Sequence, residues 1–232
     1  MTGAETSSVL LTEPLVVGTV HSPECIRAAL RIKPGQIDLL ELRVDHFAEG
    51  AGDLERAAGR FRIPLIITVR HPAEGGQNRL SPKRRRDLYA RFMPLAAFID
   101  VELRSLAVLA DTLALARTSG VRVILSEHHF HSTPSTARLR AAIRRASGAG
   151  ADLCKLAVRA DRVSALHQLL SLFIPRPLRP LSVMAMGRFG KISRVLFAAT
   201  GSIMNYGYLS APNASGQWPA VTLKERLREL KS

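Results

Sequence analysis

The chain has 232 residues, of which 47% are hydrophobic, so it can bury a sizeable core and is not a disordered protein. Its 33 lysines and arginines exceed its 19 acidic residues and give a formal net charge of +14, which favours an anionic partner. The basic residues are dispersed apart from the run Lys83–Arg86, and few aromatic residues lie among them, so we expect no nucleic-acid partner.

Apolar segments and the polar segments between them predict alternating strands and helices. Residues 1–13 are predicted to be a loose N-terminal arm, and residues 14–232 to be one domain. The strands rich in valine, isoleucine and leucine are predicted at 14–20, 37–44, 63–70, 97–103, 121–126, 150–158, 180–186 and 202–207. The helices are predicted near 22–32, 52–61, 82–93, up to 118, after Pro134, at 161–173, from 191 and at 222–230.

Continuous apolar strands are typical of parallel strands that are covered on both faces. Eight such strands alternating with eight helices predict a single-domain α/β protein, a (β/α)₈ TIM barrel. A doubly wound open sheet is the alternative, but no G-x-G-x-x-G sequence follows the first strand to support a dinucleotide site.

The number of cysteines and the lack of targeting or membrane-spanning segments predict where the protein acts. Cys25 and Cys154 are the only cysteines, which is too few for a disulfide framework and favours a reducing, cytoplasmic location. They also lack the spacing of metal ligands. We see no signal peptide and no apolar run long enough to cross a bilayer, so we expect no membrane partner.

The segment 150–158 places a lysine within an apolar strand. Because successive side chains alternate between faces, Leu153, Lys155 and Ala157 share one face, and Cys154 and Leu156 share the other. Lysine is rarely buried without a partner or a function, and a desolvated lysine becomes a usable amine nucleophile. The alternative is an edge strand, or a lysine at the wet end of the strand with its stem on apolar surface.

Polar residues gather at the predicted carboxyl ends of the strands, which form the working face of a barrel. They are Glu41, Arg43, Arg70, Glu74, His128, Lys155, Arg194, Asn213, Ser215 and Gln217. Each alone has an ordinary explanation, such as a pair between Glu41 and Arg43 across the pleat. As a set they support one kind of chemistry, because a lysine can form an imine with a carbonyl, a histidine can move a proton and arginines can bind a carboxylate. The set predicts proton abstraction beside a carbonyl of an anionic substrate.

Several short motifs resemble the type I 3-dehydroquinate dehydratase family, the Schiff-base enzymes of the shikimate pathway. The matching residues, which run in order through nearly the whole domain, are Glu41–Phe47, Thr68–Arg70, Glu74–Gly76, His128, Phe130, Gly150–Ala157, Gly190–Arg194 and Ala214–Gln217. The resemblance implies dehydration of 3-dehydroquinate to 3-dehydroshikimate, the third step of chorismate and aromatic amino acid biosynthesis. It also implies a homodimer that needs no metal or other cofactor.

The resemblance implies a role for each matching residue. Lys155 would form the imine, His128 would move the protons, and Glu74 would orient His128. Arg194 would hold the substrate carboxylate. Glu41, Arg43 and Arg70 would contact the ring hydroxyls. The remaining substrate-binding candidates are Gln217 with Asn213 or Ser215 in the last loop, and Thr19 at the end of the first strand.

The chain departs from the family pattern beside the histidine, where it has Glu127 and His129, and in the closing loop around Asn213. Two other functions are considered. A Schiff-base aldolase acting on a phosphorylated sugar would need a phosphate site in the last two loops, and Gly187–Gly190 is a candidate. A basic nucleic-acid module would use Lys83–Arg86, but it leaves the polar residues at the strand ends unexplained.

Overall fold

Eight parallel strands form the centre of the protein in the computed structural model, which describes residues 9–177 and 179–230. The strands are β1 Leu15–Val20, β2 Leu39–Arg43, β3 Leu65–Thr68, β4 Ala96–Glu102, β5 Arg122–His129, β6 Leu153–Arg159, β7 Leu181–Met186 and β8 Met204–Tyr208. Each strand pairs in parallel with its neighbour in the order β7-β6-β5-β4-β3-β2-β1-β8.

The barrel closes where β7 meets β8. The amide of Ile203 donates to the carbonyl of Leu181 at 3.0 Å, and the amide of Met204 donates to the hydroxyl of Ser182 at 2.7 Å. These bonds join the two ends of the sheet, so the prediction of a TIM barrel is confirmed and the open doubly wound sheet is wrong.

A helix follows each strand and covers the outer face of the sheet. The helices are α1 Pro23–Ala29, α2 Ala51–Ala58, α3 Pro82–Phe92, α4 Ala110–Thr118, α5 Thr136–Gly148, α6 Val163–Leu170, α7 Gly190–Ala199 and α8 Ala220–Glu229. Serine side chains cap three helix starts, where the hydroxyls of Ser22, Ser81 and Ser135 accept from amides of the first turn. The predicted bounds are displaced by a few residues, partly because two helices continue as 3₁₀ turns, Met93–Leu95 after α3 and Ser171–Phe173 after α6.

The apolar side chains form an outer layer between sheet and helices and an inner cluster inside the barrel. In β6, Leu153 and Ala157 belong to the inner cluster, whereas Cys154 and Leu156 belong to the outer layer. The alternation predicted for this strand is therefore confirmed, and Lys155 lies on the inner face.

The amino-terminal end of the barrel is covered by part of the predicted arm. Val9 and Leu11 pack against the inner cluster, and the carbonyl of Val9 accepts from Arg122 at 2.6 Å. Val9 and Leu11 are thus partly buried, whereas Leu10, Thr12 and Glu13 are exposed. Residues 1–8 lie outside the described residues. Among the helices of the described chain, none has the length and hydropathy needed to cross a membrane.

Tyr89 of α3 fixes the ends of β3 and β4 relative to each other. Its ring is fully buried, its hydroxyl donates to the carbonyl of Asp100 at 2.6 Å, and the amide of Val69 donates to the hydroxyl at 3.1 Å. Two neighbouring strands are therefore linked through one phenol.

Replacement of Tyr89 by phenylalanine should lower the free energy of unfolding by about 1–3 kcal/mol, because a buried amide and a buried carbonyl each lose a partner. Urea denaturation measures the change. Tyr208→Phe, at a partly exposed tyrosine, is the control and should change stability by less than about 0.5 kcal/mol. Equal costs at the two positions would contradict this account.

Candidate active site

A cavity of about 280 Å³ opens at the carboxyl ends of the strands. The predicted residues that line it are Thr19, Glu41, Arg43, Arg70, Glu74, His128, Lys155, Arg194, Asn213 and Gln217. The other lining residues are Gly75, Gln77, Phe130, Ala157, Met184, Met186, Tyr206 and Ala214. Ser215 does not line the cavity. The barrel thus brings together residues that the chain separates by up to about 200 positions.

Lys155 lies at the base of this cavity and is only 3% exposed. Its Nζ donates to Asp100 Oδ2 at 2.6 Å, lies 3.6 Å from Glu41 Oε1 and sits 4.1 Å from the centre of the Tyr206 ring. Burial opposes the charge on Asp100, but Arg70 and Lys155 hold the pKa of this carboxyl well below its ordinary value. The amine is therefore buried beside a carboxylate that remains ionised.

His128 forms a pair with Glu74, as predicted from the resemblance. Its Nδ1 lies 2.9 Å from Glu74 Oε2, and its backbone amide donates to the same oxygen at 3.0 Å. The Phe130 ring stacks parallel to the imidazole, with centres 6.2 Å apart. These contacts fix both the position and the tilt of the ring.

Protonation of this pair is governed first by burial. Burial, reinforced by the positive charges of Arg70 and Lys155, lowers the pKa of His128 well below its ordinary value. Burial raises the pKa of Glu74 to about 7, with a further increase from Glu102. A neutral imidazole that donates from Nδ1 to an ionised Glu74 leaves Nε2 free to accept a proton.

Asp45 holds the polar groups on one side of the cavity in place. It accepts two hydrogen bonds from Arg43, at 3.0 and 2.8 Å, and also accepts from the backbone amides of Arg70 and Gln77.

Glu41 does not pair with Arg43, so the ordinary explanation considered for these two residues is wrong. Glu41 instead accepts from Thr68 at 3.0 Å and from Thr19 at 3.4 Å.

Arg194 of α7 is a buried cation that faces the cavity. It is 1% exposed, and it donates to the backbone carbonyls of Tyr206, Ala185, Gly190 and Gly216 at 2.6 to 3.1 Å. Burial lowers its pKa to about 10. Within residues 9–177 and 179–230, no acidic side chain forms an ion pair with it. The cavity therefore contains a fixed positive charge suited to a carboxylate.

The last loop, between β8 and α8, reaches over the cavity. Gln217 Oε1 accepts from the amides of Asn213 and Ala214, at 3.0 and 3.3 Å. The hydroxyl of Ser215 instead accepts from the amide of Gly187 at 3.0 Å and fastens the loop to the end of β7. Of the two alternatives, the structure places Asn213 at the cavity and Ser215 outside it.

The residues on either side of His128 face away from the cavity. Glu127 and His129 alternate with His128 along β5, and Glu127 Oε1 lies 2.8 Å from His129 Nε2. Their departure from the family pattern therefore leaves the pair of His128 with Glu74 unchanged.

Several residues at the cavity escape prediction from the sequence. Asp100, the partner of Lys155, lies within an apolar strand, where its alternation with Glu102 is the signal that could have identified it. Tyr206, Met184 and Met186 look like ordinary core residues. Over the described ranges, no group of three or more histidine, cysteine or acidic side chains is placed to hold a metal ion.

Known proteins are similar to this chain in both sequence and fold. A model of the type I 3-dehydroquinase family matches residues 15–232. The chain belongs to the type I 3-dehydroquinase family. A 3-dehydroquinate dehydratase of Klebsiella pneumoniae is 33% identical over 93% of this chain and 91% of its own length. A 3-dehydroquinate dehydratase of Hydrogenobaculum is 32% identical over 85% of this chain and 89% of its own.

The fold of this chain is also similar to solved structures. The crystal structure of 3-dehydroquinate dehydratase from Geobacillus kaustophilus superposes with a TM-score of 0.86 at 28% identity and covers 95% of this chain and 92% of that one. The resemblance stated from the sequence motifs is therefore confirmed at the level of family and fold.

Gly190 provides a close contact between α7 and the last loop. A Cβ atom at this position would lie 2.6 Å from Gly216 Cα and 2.7 Å from its carbonyl oxygen, which is the oxygen that accepts from Arg194. Gly190→Ala should displace the loop and raise KM for 3-dehydroquinate about 10-fold, with a smaller change in kcat.

Steady-state kinetics test this expectation. Gly148→Ala is the control, since a Cβ there would meet nothing within 4 Å, and KM should stay within about 2-fold of the wild-type value. An unchanged KM in Gly190→Ala would show that the loop tolerates the methyl group.

Proposed function

We propose that the chain converts 3-dehydroquinate to 3-dehydroshikimate and water through an imine on Lys155. The observation that carries the proposal is the buried amine of Lys155 in one cavity with the pair of His128 and Glu74 and with the unpaired Arg194. This set combines a nucleophile, a proton carrier and a carboxylate receptor. Family membership identifies the substrate as 3-dehydroquinate.

Substrate binding begins with the charge of Arg194, which pairs with the ring carboxylate of 3-dehydroquinate. The hydroxyls of the ring then face Glu41, Arg43 and Arg70 on the opposite wall, with Thr19 nearby. Gln217 covers the ligand from the last loop with its amide nitrogen, because its oxygen is already bonded to the loop backbone. Asn213 lies beside it at the mouth of the cavity.

Imine formation requires the neutral amine of Lys155. His128 takes the proton that the Lys155 ammonium loses, and the neutral amine then adds to the ketone carbon of the substrate and gives a carbinolamine. The carbinolamine loses its hydroxyl as water when His128 returns that proton. The resulting iminium bonds carbon to Nζ and places a positive charge beside Asp100 and Glu41. Both carboxylates are already close to Nζ, so the charge is stabilised without rearrangement.

Elimination follows on the iminium, which acts as the electron sink. His128 removes a proton from the carbon beside the former ketone, and the electron pair moves into the imine to form an enamine. The electrons return to expel the ring hydroxyl, which leaves as water with the proton from His128. Water then hydrolyses the iminium, releases 3-dehydroshikimate and restores the amine.

The setting of this reaction is also proposed. We infer an enzyme of aromatic amino acid biosynthesis. We also infer a cytoplasmic location, which is supported by two buried thiols that are free rather than paired. We also infer a homodimer, with neither nucleic acid nor membrane as a partner. The positive charge of the chain, +14, suits the attraction of an anionic substrate.

A Schiff-base aldolase that acts on a phosphorylated sugar is not supported by the loop after β7. A phosphate there would need free backbone amides. The amides of Gly187, Arg188, Phe189 and Gly190 already donate to Ser215, Asp161, Ala160 and Gly187, respectively. The family match points in the same direction.

Borohydride reduction in the presence of 3-dehydroquinate should attach the ligand to Lys155, and peptide mass mapping should locate the adduct. Lys155→Ala should form no adduct and lose dehydration by about 10⁴-fold or more, because the covalent route is removed. Circular dichroism should show the fold unchanged. Dehydration without any adduct would overturn the imine mechanism, whereas an absence of both would reopen the aldolase hypothesis.

The pH dependence of kcat/KM should report on Glu74. Its pKa is raised to about 7, so protonation below that pH removes the acceptor for His128 Nδ1, and kcat/KM should fall as the pH drops through about 7. Glu74→Gln should lower kcat about 10- to 100-fold and remove this inflection. If the inflection persists in the glutamine variant, it belongs to another group.

A further inference from the structure

A second buried ion pair lies behind the cavity and is not part of the mechanism above. Glu102 at the end of β4 is completely buried, and Arg85 of α3 is 2% exposed. Arg85 Nη2 donates to Glu102 Oε2 at 2.6 Å. Resting on the proposed function, we propose that Glu102 and Arg85 are positioning residues that set the protonation and placement of Lys155 for imine formation.

The connection from this pair to Lys155 is continuous. Glu102 Oε1 accepts from Arg70 Nη1 at 3.3 Å and from the amide of His71 at 2.7 Å. Arg70 donates to both carboxylate oxygens of Asp100 at 3.0 Å, and Asp100 accepts from Lys155 at 2.6 Å. Glu102 and Asp100 therefore share one nitrogen of Arg70, Nη1, as their donor.

Arg85 is held in place by hydrogen bonds besides the one to Glu102. It also donates to the carbonyl of Val69 at 2.9 Å and to the hydroxyl of Ser105 at 3.0 Å, and Ser105 donates to Glu102 at 2.9 Å. Neither Glu102 nor Arg85 lines the cavity. Their effect on substrate must therefore pass through Arg70, Asp100 and Lys155.

The six buried charges that connect Arg85 to Lys155 balance. The cations are Lys155, Arg70 and Arg85, and the anions are Asp100, Glu102 and Glu41; each is 4% exposed or less. Three positive and three negative charges give zero net charge. Because the surroundings exclude water, loss of one charge is felt by the others at short range.

The side chains of Arg85, Glu102, Arg70, Asp100 and Lys155 form a continuous network. Titratable groups lie around both ends of it. Those facing Lys155 are Glu41 on β2, Arg70 after β3, Asp100 on β4, His128 on β5 and Tyr206 on β8. Those influenced by Glu102 are Arg70, His71, Glu74, Arg85 and Tyr89. Loss of the Glu102 charge also favours the ionised form of Glu74, because Glu102, in addition to burial, raises the pKa of Glu74. This change and the easier deprotonation of Lys155 both move the start of the reaction to lower pH.

Removal of each charge should therefore have a characteristic sign. Glu102→Gln removes an anion, so the ammonium loses its proton more readily and imine formation should begin at a lower pH. Arg85→Met removes a cation, so the ammonium is better stabilised and imine formation should begin at a higher pH. Damage to the structure alone would not produce shifts of opposite sign.

The experiment measures borohydride-trapped adduct on Lys155 as a function of pH, with kcat and KM for each variant. We expect the pH at which adduct formation is half-maximal, the midpoint, to fall by about half to one pH unit in Glu102→Gln. In Arg85→Met the midpoint should rise by a smaller amount. KM should stay within about 2-fold, and kcat at neutral pH should change. Arg85→Lys, which keeps the charge, should retain the wild-type midpoint.

A matched control comes from an ion pair remote from the cavity. Lys224 of α8 donates to both oxygens of Asp38 at 2.7 and 2.6 Å. Lys224→Met and Asp38→Asn should leave the midpoint and kcat unchanged, whatever their effect on thermal stability. A midpoint that moves in these variants would show that the readout follows general destabilisation and would overturn the proposal.

The result for the isosteric Glu102→Gln decides the proposal even if Arg85→Met fails to fold. An unmoved midpoint in Glu102→Gln, or a shift of the same sign in both variants, would overturn the positioning role. These outcomes differ from failure of the proposed function, in which wild-type enzyme itself would give no adduct on Lys155.

Discussion

The ion pair between Lys155 and Asp100 is the interaction on which the rest of the site depends. A charged amine inside a barrel is tolerated only if a counter-charge accompanies it, and removal of one partner of a buried pair costs about 3–5 kcal/mol. Asp100 in turn requires Arg70, and Arg70 requires Glu102 and its partner. The side chains around Lys155 and Asp100 consequently act as one connected cluster rather than as independent residues. The chemistry proposed for Lys155 uses a position whose charge the fold already compensates.

Much of this arrangement could be predicted from the sequence, because it follows from backbone periodicity. A run of eight apolar strands indicates a barrel, and alternation along β6 places Lys155 inside it. The carboxyl ends of parallel strands meet at one face, so Glu41, Arg70 and His128 could be grouped without knowledge of any distance. The pairing of His128 with Glu74 followed from the family resemblance.

Other features depend on packing that periodicity does not reveal. Arg85 stands in the run Lys83–Arg86, which looks like an exposed basic stretch, yet this one arginine turns inward toward Glu102. Asp100 cannot be recognised from periodicity because its contact with Lys155 depends on how β4 and β6 each pair with β5, the strand between them. Ser215 and Asn213 could not be distinguished, since the conformation of the last loop decides which side chain faces the cavity and which fastens the loop to Gly187.

The unpaired charge of Arg194 has a consequence for turnover. In the proposed mechanism Arg194 holds the ring carboxylate, which substrate and product share, so it would bind both equally well and provide uniform rather than transition-state binding. Such binding would lower KM without raising kcat, and it would leave the enzyme open to inhibition by its own product. The direction of net flux is set by the concentrations of substrate and product, and therefore by how quickly 3-dehydroshikimate is consumed by the next reaction.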